Sequence, residues 1–270
     1  MTPPAPAFTT SRPADIRRLM SFVRVAAMRS IKIRYRGSVL GVLWSFTNPL
    51  LMTAMYTVVF GTAFSRYYDG SNLRYLLSAF VGLTVVTFFL NATAEALPTI
   101  VTNGALLNKI ALPPAAFPLS SVAADLVQQL CTTFPAVFII GIAVTHDPLR
   151  VALIPVALMG LVLLTAGFSL ALSALYVFFR DVSYLWGVAG FMLWMTSPLF
   201  YPAQVAPERI RVWFRINPIS QQISALRELA LQRGPIHFAD IGLAFGTALV
   251  AFGLGVGLFR LARRQFMDLL

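Results

Sequence analysis

The stretch Arg29–Phe64, RSIKIRYRGSVLGVLWSFTNPLLMTAMYTVVFGTAF, decides the fold class. Arg29, Lys32, Arg34 and Arg36 crowd its start, and no charge follows between Gly37 and Ser65. Cations are favoured among anionic headgroups and uncharged apolar runs in hydrocarbon, so an abrupt boundary between the two reads as a membrane surface. Residues 41–64, as a helix, would cover about 36 Å, enough for a hydrocarbon core of about 30 Å with some tilt. Positive charge held on one side also sets direction, which predicts a cytoplasmic N-terminus.

The composition agrees. Hydrophobic residues make up 58% of the chain, charged residues 11%, and mean hydropathy is +0.76, outside the soluble globular range. A net charge of +11 would suit nucleic acid, but the bases gather at the edges of apolar runs, which points to headgroups instead. Residues 1–20 lack the apolar stretch of a signal peptide, so no cleavage is expected. The single cysteine, Cys131, excludes an internal disulfide, and with His146 and His237 as the only histidines no metal site is expected.

From the opening stretch the reading extends both ways. Residues 1–12, rich in Pro, Ala and Thr, read as a tail. Over residues 13–36 the apolar positions Ile16, Leu19, Met20, Val23, Ala27 and Ile31 recur at spacings of three and four, with bases filling much of the remainder. That pattern predicts an amphipathic helix lying flat on cytoplasmic headgroups. Beyond it the sequence predicts an all-α membrane domain over residues 37–270, with six transmembrane helices at about 41–64, 75–100, 115–145, 151–179, 184–202 and 238–259. Between the last two, Pro207 and Asn217-Pro218 each open a short amphipathic helix, too short and too charged to span. These lie along the outer surface or dip back into it. With six spans both termini are cytoplasmic, and thirteen Lys and Arg then fall inside against eight outside. In the last span Gly242, Gly246, Gly253 and Gly257 share one face, a seam where a neighbouring helix would approach.

Chemistry is sparse. Neither lysine, Lys32 or Lys109, sits in a phosphate-binding loop, so no nucleotide site is expected, and no nucleophile, base and acid fall in a catalytic order. The chain is therefore not expected to be an enzyme by itself. On the first span Phe46, Thr53, Tyr56, Thr57 and Phe60 share an arc that suits helix packing or a sugar, whose C–H faces stack on aromatic rings. Leu51, Met52, Met55, Val58 and Val59 lie opposite and suit lipid. Glu95 and Asp125 are acids within apolar spans, where a carboxylate needs a partner or a wet cavity. They would be proton relays in a carrier or hydrogen-bonding groups in a scaffold. Arg29, Lys32, Arg34 and Arg36 suit the phosphates of a lipid-linked substrate, or act only in setting topology.

RYRGSVLGVLWSFTNPLL after a basic amphipathic helix resembles the start of the ABC-2 family permeases that export cell-surface polysaccharides such as O-antigen, teichoic acid and capsule. NKIALPPAAFPLS, FFRDVSYL, SPLFYP, RINPISQQISALRE and FRLARRQFMDLL follow in matching order, so the resemblance covers about residues 13–270. It implies a homodimer in a bacterial inner membrane, working with two copies of a separate ATPase subunit that binds ATP and Mg. This chain would itself hold no cofactor. The resemblance further implies a lipid-linked polysaccharide substrate, a channel with aromatic residues near its faces, two re-entrant helices before the last span, and an ATPase contact between spans two and three. Leu106, Leu107, Lys109 and Ile110, with Arg180 and Asp181 on the next cytoplasmic turn, are the residues expected to couple to the ATPase. The alternatives are an ABC-2 exporter of small lipids or drugs, a polytopic glycosyltransferase or acyltransferase, and a proton-coupled carrier using Glu95 and Asp125.

Overall fold

The computed structural model describes residues 13–39, 41–104 and 113–266, and these fold as helices joined by short turns, with no strand among them. Helix α1 (Pro13–Arg34) is the basic amphipathic helix, followed by α2 (Trp44–Phe64). A turn with Asp69 and Gly70 at positive φ reverses the chain, and the Ser71 side chain caps α3 (Asn72–Ala96) by accepting from Arg74 N at 3.3 Å. After the short α4 (Thr99–Thr102) come α5 (Ala116–Cys131), α6 (Thr133–Thr145), α7 (Pro148–Phe178) and α8 (Val182–Thr196). Two half-length helices, α9 (Glu208–Ile216) and α10 (Pro218–Leu231), precede α11 (Phe238–Ala262).

Among the described residues three helices are long and apolar enough to cross a membrane: α3, α7, and α11 with its terminal turn to Gln265. The pair α5 and α6, bent by 45°, passes the same test when taken together, which makes up to four. The bend has a local cause. Pro135 offers no N–H to the Cys131 carbonyl and its ring crowds that carbonyl, so the ladder breaks there, and Thr132 turns its hydroxyl back to Gln128 O at 2.9 Å. Asn217 stops α9 and starts α10, accepting from Ile219 N at 2.9 Å ahead of Pro218.

At the centre lies α3. Its run AFVGLTVVTFF, residues 79–89, is apolar on every side, the pattern of a helix enclosed by others, and α2, α5, α7 and α10 pack around it. Most of α10 is buried as well, so this segment is part of the core and no surface loop. Its Arg227 reaches past α3 to donate to Ser78 O at 3.0 Å, Pro198 O at 2.7 Å and Leu199 O at 2.8 Å. Gly82 makes room for this: a Cβ there would fall 2.8 Å from Arg227 Nη2. Arg150, 1% exposed, similarly donates to Glu228 O at 2.5 Å and Gly234 O at 2.7 Å.

The closest helix contact joins α7 to α11. A Cβ on Gly255 would sit 2.1 Å from Gly167 O, and one on Gly167 would sit 2.7 Å from Ala251 O, so the two backbones touch. Within the chain, this contact does not use the expected glycine seam. Gly242, Gly246, Gly253 and Gly257 lie on the other side of α11, where an added Cβ meets nothing within 4 Å. Ile241, Ala244, Ala248 and Gly255 form the inward face instead.

Candidate functional site

At the α1 end of the bundle, α2 begins, α3 ends and α5 packs against both α1 and α3. Arg34, the last residue of α1, turns inward here. Its guanidinium donates to Asp125 Oδ1 at 2.7 Å and Gln128 Oε1 at 2.6 Å, both on α5, and pairs with Glu95 on α3. One planar fork thus ties the surface helix to two helices of the bundle. Burial alone pulls the Arg34 pKa down, but the Asp125 and Glu95 carboxylates outweigh it and hold the group above its ordinary value. Next to Arg34, the Tyr35 hydroxyl is hydrogen-bonded to Ser45 on α2, closing the turn between α1 and α2.

Beside this clasp opens a cavity of about 500 Å3. Its lining includes Tyr35, Trp44 and four carboxamides: Asn48 on α2, Asn91 on α3, and Gln128 and Gln129 on α5. Thr87 marks its depth, nine residues before the end of α3, or about 14 Å along the helix.

A second cavity, of about 600 Å3, lies at the opposite end, where α2 gives way to α3 and α10 approaches α11. Arg74, Arg227 and Arg233 line it together with Asp69, Glu228 and Asp240. Much of that charge is already spent within the chain: Arg74 pairs with Asp69, and Glu228 faces His237 Nδ1 at 3.2 Å.

The aromatic arc of α2 turns toward α3 and the segment after α8. Phe46 meets Phe80 edge-on at 6.1 Å, and Tyr56 stacks on Phe200 and on Phe60, which continues to Phe64 and Tyr75. Thr53 is fully buried, its hydroxyl on Pro49 O at 2.7 Å, and Thr57 donates to Thr53 O at 2.8 Å, so both hydroxyls serve their own helix. Opposite them Leu51, Met52, Met55, Val58 and Val59 are exposed.

Of the four bases assigned to lipid phosphate, Arg29, Lys32 and Arg36 are exposed on α1 and just after it, while Arg34 is taken up by the carboxylates. Leu106, Leu107, Lys109 and Ile110 lie outside the described residues. The flanks of that segment are described: Val101 and Ala115 pack with Phe178 and Ala262 around a small core of Ile100, Leu170, Ala174, Val177, Phe259 and Phe266. Arg180 follows Phe178 closely, its guanidinium over the Tyr176 ring at 5.2 Å, and the adjoining Asp181 is exposed. The two described flanks, the start of the Arg180-Asp181 turn and the end of α11 therefore gather in one place.

Sequence reasoning found Glu95 and Asp125 but not their shared partner on α1, nor the four amides. The signal was there: Gln128-Gln129, Asn48 and Asn91 are polar residues inside apolar spans, and such groups demand partners as carboxylates do.

A bundle of apolar helices, collared at one end by a basic amphipathic helix clipped to two carboxylates of the bundle, defines a multi-pass membrane protein. The chain matches the ABC-2 type transporter family over residues 22–231, and it belongs to that family. It is 26% identical over 253 residues to the O-antigen export system permease protein RfbA of Klebsiella pneumoniae, covering 93% of this chain and 96% of that one. It is 29% identical over 243 residues to the protein of the same name from Myxococcus xanthus, covering 89% and 92%. To the capsule polysaccharide export inner-membrane protein CtrC of Neisseria meningitidis serogroup A it is 24% identical over 196 residues, covering 71% and 72%.

Proposed function

We propose that this chain is the membrane subunit of an ATP-driven exporter that moves a lipid-linked polysaccharide across the bacterial inner membrane from the cytoplasmic side. The observation that carries this reading is the likeness, over nearly the full length of both chains, to permeases named for O-antigen export. The chain has no phosphate-binding loop, so ATP and its Mg would be bound and hydrolysed on a separate ATPase, two copies of it against a homodimer of this chain.

In this reading α2, α3, the bent pair α5–α6, α7, α8 and α11 are the six spans, and both termini are cytoplasmic. α9 and α10 are the re-entrant pair at the outer leaflet, and α1 lies on cytoplasmic headgroups. The polymer would run along α2, stacking on the edges of Phe46, Tyr56 and Phe60 that the chain leaves uncovered, with Thr53 and Thr57 shaping the helix behind them. Arg29, Lys32 and Arg36 would meet the lipid phosphates, and Arg34 would hold α1 in place. Leu106, Leu107, Lys109 and Ile110, together with Arg180 and Asp181, would receive the ATPase. A proton-coupled carrier is not favoured, because Glu95 and Asp125 are both committed to one guanidinium.

Deleting the gene in a strain that makes a surface polysaccharide tests the reading. The expected outcome is loss of the polymer from intact cells while lipid-linked polymer accumulates inside. Normal surface polymer in the deletion strain would refute it.

A further inference from the structure

The cavity at the α1 end has a chemical character that the exporter reading alone does not assign. Gln128 and Gln129 are 8% and 6% exposed, yet both line it. Their oxygens are taken by Arg34 and Thr133, while their amide nitrogens make no hydrogen bond among the described residues. Asn48 and Asn91 face the same space, and neither side chain is hydrogen-bonded among those residues. Four carboxamides from three helices thus converge on one space and offer it at least four unspent N–H groups and two unspent oxygens. At 500 Å3 the space falls within the range of ordinary ligand cavities, about 300–1,000 Å3.

The lining selects among ligands. An acyl chain would leave the amides without partners, which costs more than leaving them in water. A phosphate would find Arg34 already held by Asp125 and Glu95, with the Glu95 carboxylate in the wall to repel it. A neutral polyol meets every requirement, because each hydroxyl both donates and accepts, and the half-exposed Trp44 offers a flat face to its C–H groups. Resting on the exporter reading, we propose that this cavity binds neutral sugar residues of the polymer, with Asn48, Asn91, Gln128 and Gln129 as the hydrogen-bonding set. Lipid phosphate stays outside on Arg29, Lys32 and Arg36. The two halves of an amphiphilic substrate are then read by separate surfaces: charge on the collar, hydroxyls in the cavity. Arg34, at the boundary, belongs to neither; it is the neutralised post between them.

Photocrosslinking in polymer-producing cells tests the assignment on the full chain with its ATPase. The variant Asn91→p-benzoylphenylalanine is irradiated and the purified chain is stained for periodate-oxidisable glycan. Val58→p-benzoylphenylalanine, on the exposed aliphatic side of α2, is the control and Tyr56→p-benzoylphenylalanine a second route position. Glycan adduct at 91 should exceed that at 58 by about tenfold or more. Alongside, Asn91→Leu with Gln129→Leu should lower surface polymer by about tenfold, the loss expected when hydrogen bonds to a ligand go unmade. Asn91→Gln should restore most of it, with chain abundance and ATPase co-purification unchanged throughout. Adducts at 91 only with phospholipid or a second copy of this chain would overturn the sugar assignment. So would glycan adduct at 56 but not at 91, which leaves the exporter reading standing. Absence of glycan at every position, in a strain whose surface polymer survives deletion of the gene, would overturn both.

Discussion

Arg34 and Arg227 are both drawn into the bundle, at opposite ends of it, and they are satisfied in opposite ways. Arg227 gives its fork to three backbone carbonyls on α3 and the segment after α8. Arg34 gives its fork to side chains on two helices, two carboxylates and an amide. Carbonyls at the end of a broken helix have no other donor, so the Arg227 contacts are part of the fold and are made once. Arg34 is 25% exposed and Glu95 41%, so the Glu95 arm of that contact can open and close with water as its alternative, while the Asp125 arm, 3% exposed, stays buried. One end of the molecule is locked and the other is latched. In the proposed exporter, the latched end would be the one that admits a substrate.

The largest effect should come from breaking the lock. Arg227→Met removes three donors at once and leaves their carbonyls unpaired inside the bundle, a loss of about 3–5 kcal/mol. The chain should fail to accumulate in membranes, or melt well below the parent in detergent. Arg227→Lys should rescue little, because an ammonium cannot present the planar fork.

Breaking the latch should cost less and act locally. Asp125→Asn removes the buried carboxylate from Arg34, for about 1–3 kcal/mol. The melting temperature should fall only modestly, while a reporter Ala27→Cys, 2% exposed in the parent, becomes reactive to thiol reagent in a Cys131→Ser background. An unreactive Ala27→Cys in the Asp125→Asn protein would mean that α1 is held by its apolar face alone.

Smaller again is the loss on neutralising Arg29 and Lys32 together. Near an anionic surface each base is worth about 1 kcal/mol, so export should fall severalfold at unchanged insertion. If only orientation changes, these bases set topology and nothing more. The smallest effect is expected at Tyr56→Ala, which removes aromatic contacts worth about 0.5–1.5 kcal/mol and should lower export a few-fold in assembled complexes. Export at parental level would assign the arc wholly to packing.

Some of this architecture was plain in the sequence and some was not, for physical reasons. The α1 collar and the break at Asn217-Pro218 were legible because charge periodicity and proline chemistry act within a few residues. The break of the third span at Thr132 needed only Pro135 to be weighed. The intrachain seam of α11 was not legible, since two faces of that helix carry small residues and only Gly167 on α7 tells which one packs within the chain. The Arg34 clasp was beyond local reasoning, as it joins residues sixty-one and ninety-one positions apart. The carboxamides were passed over because each alone is an ordinary polar residue; their convergence is a product of three helices meeting.

The central claim, that ATP hydrolysed on another chain drives polymer through this one, has a direct test. Inverted membrane vesicles carrying this chain and its ATPase are loaded with the cell's own lipid-linked polymer, and lumenal protection of the polymer from periodate is followed over time. The account predicts protection that depends on ATP and vanishes when the ATPase is omitted or its hydrolysis is blocked. Protection driven by a proton gradient without the ATPase, and lost with Glu95→Gln, would contradict it.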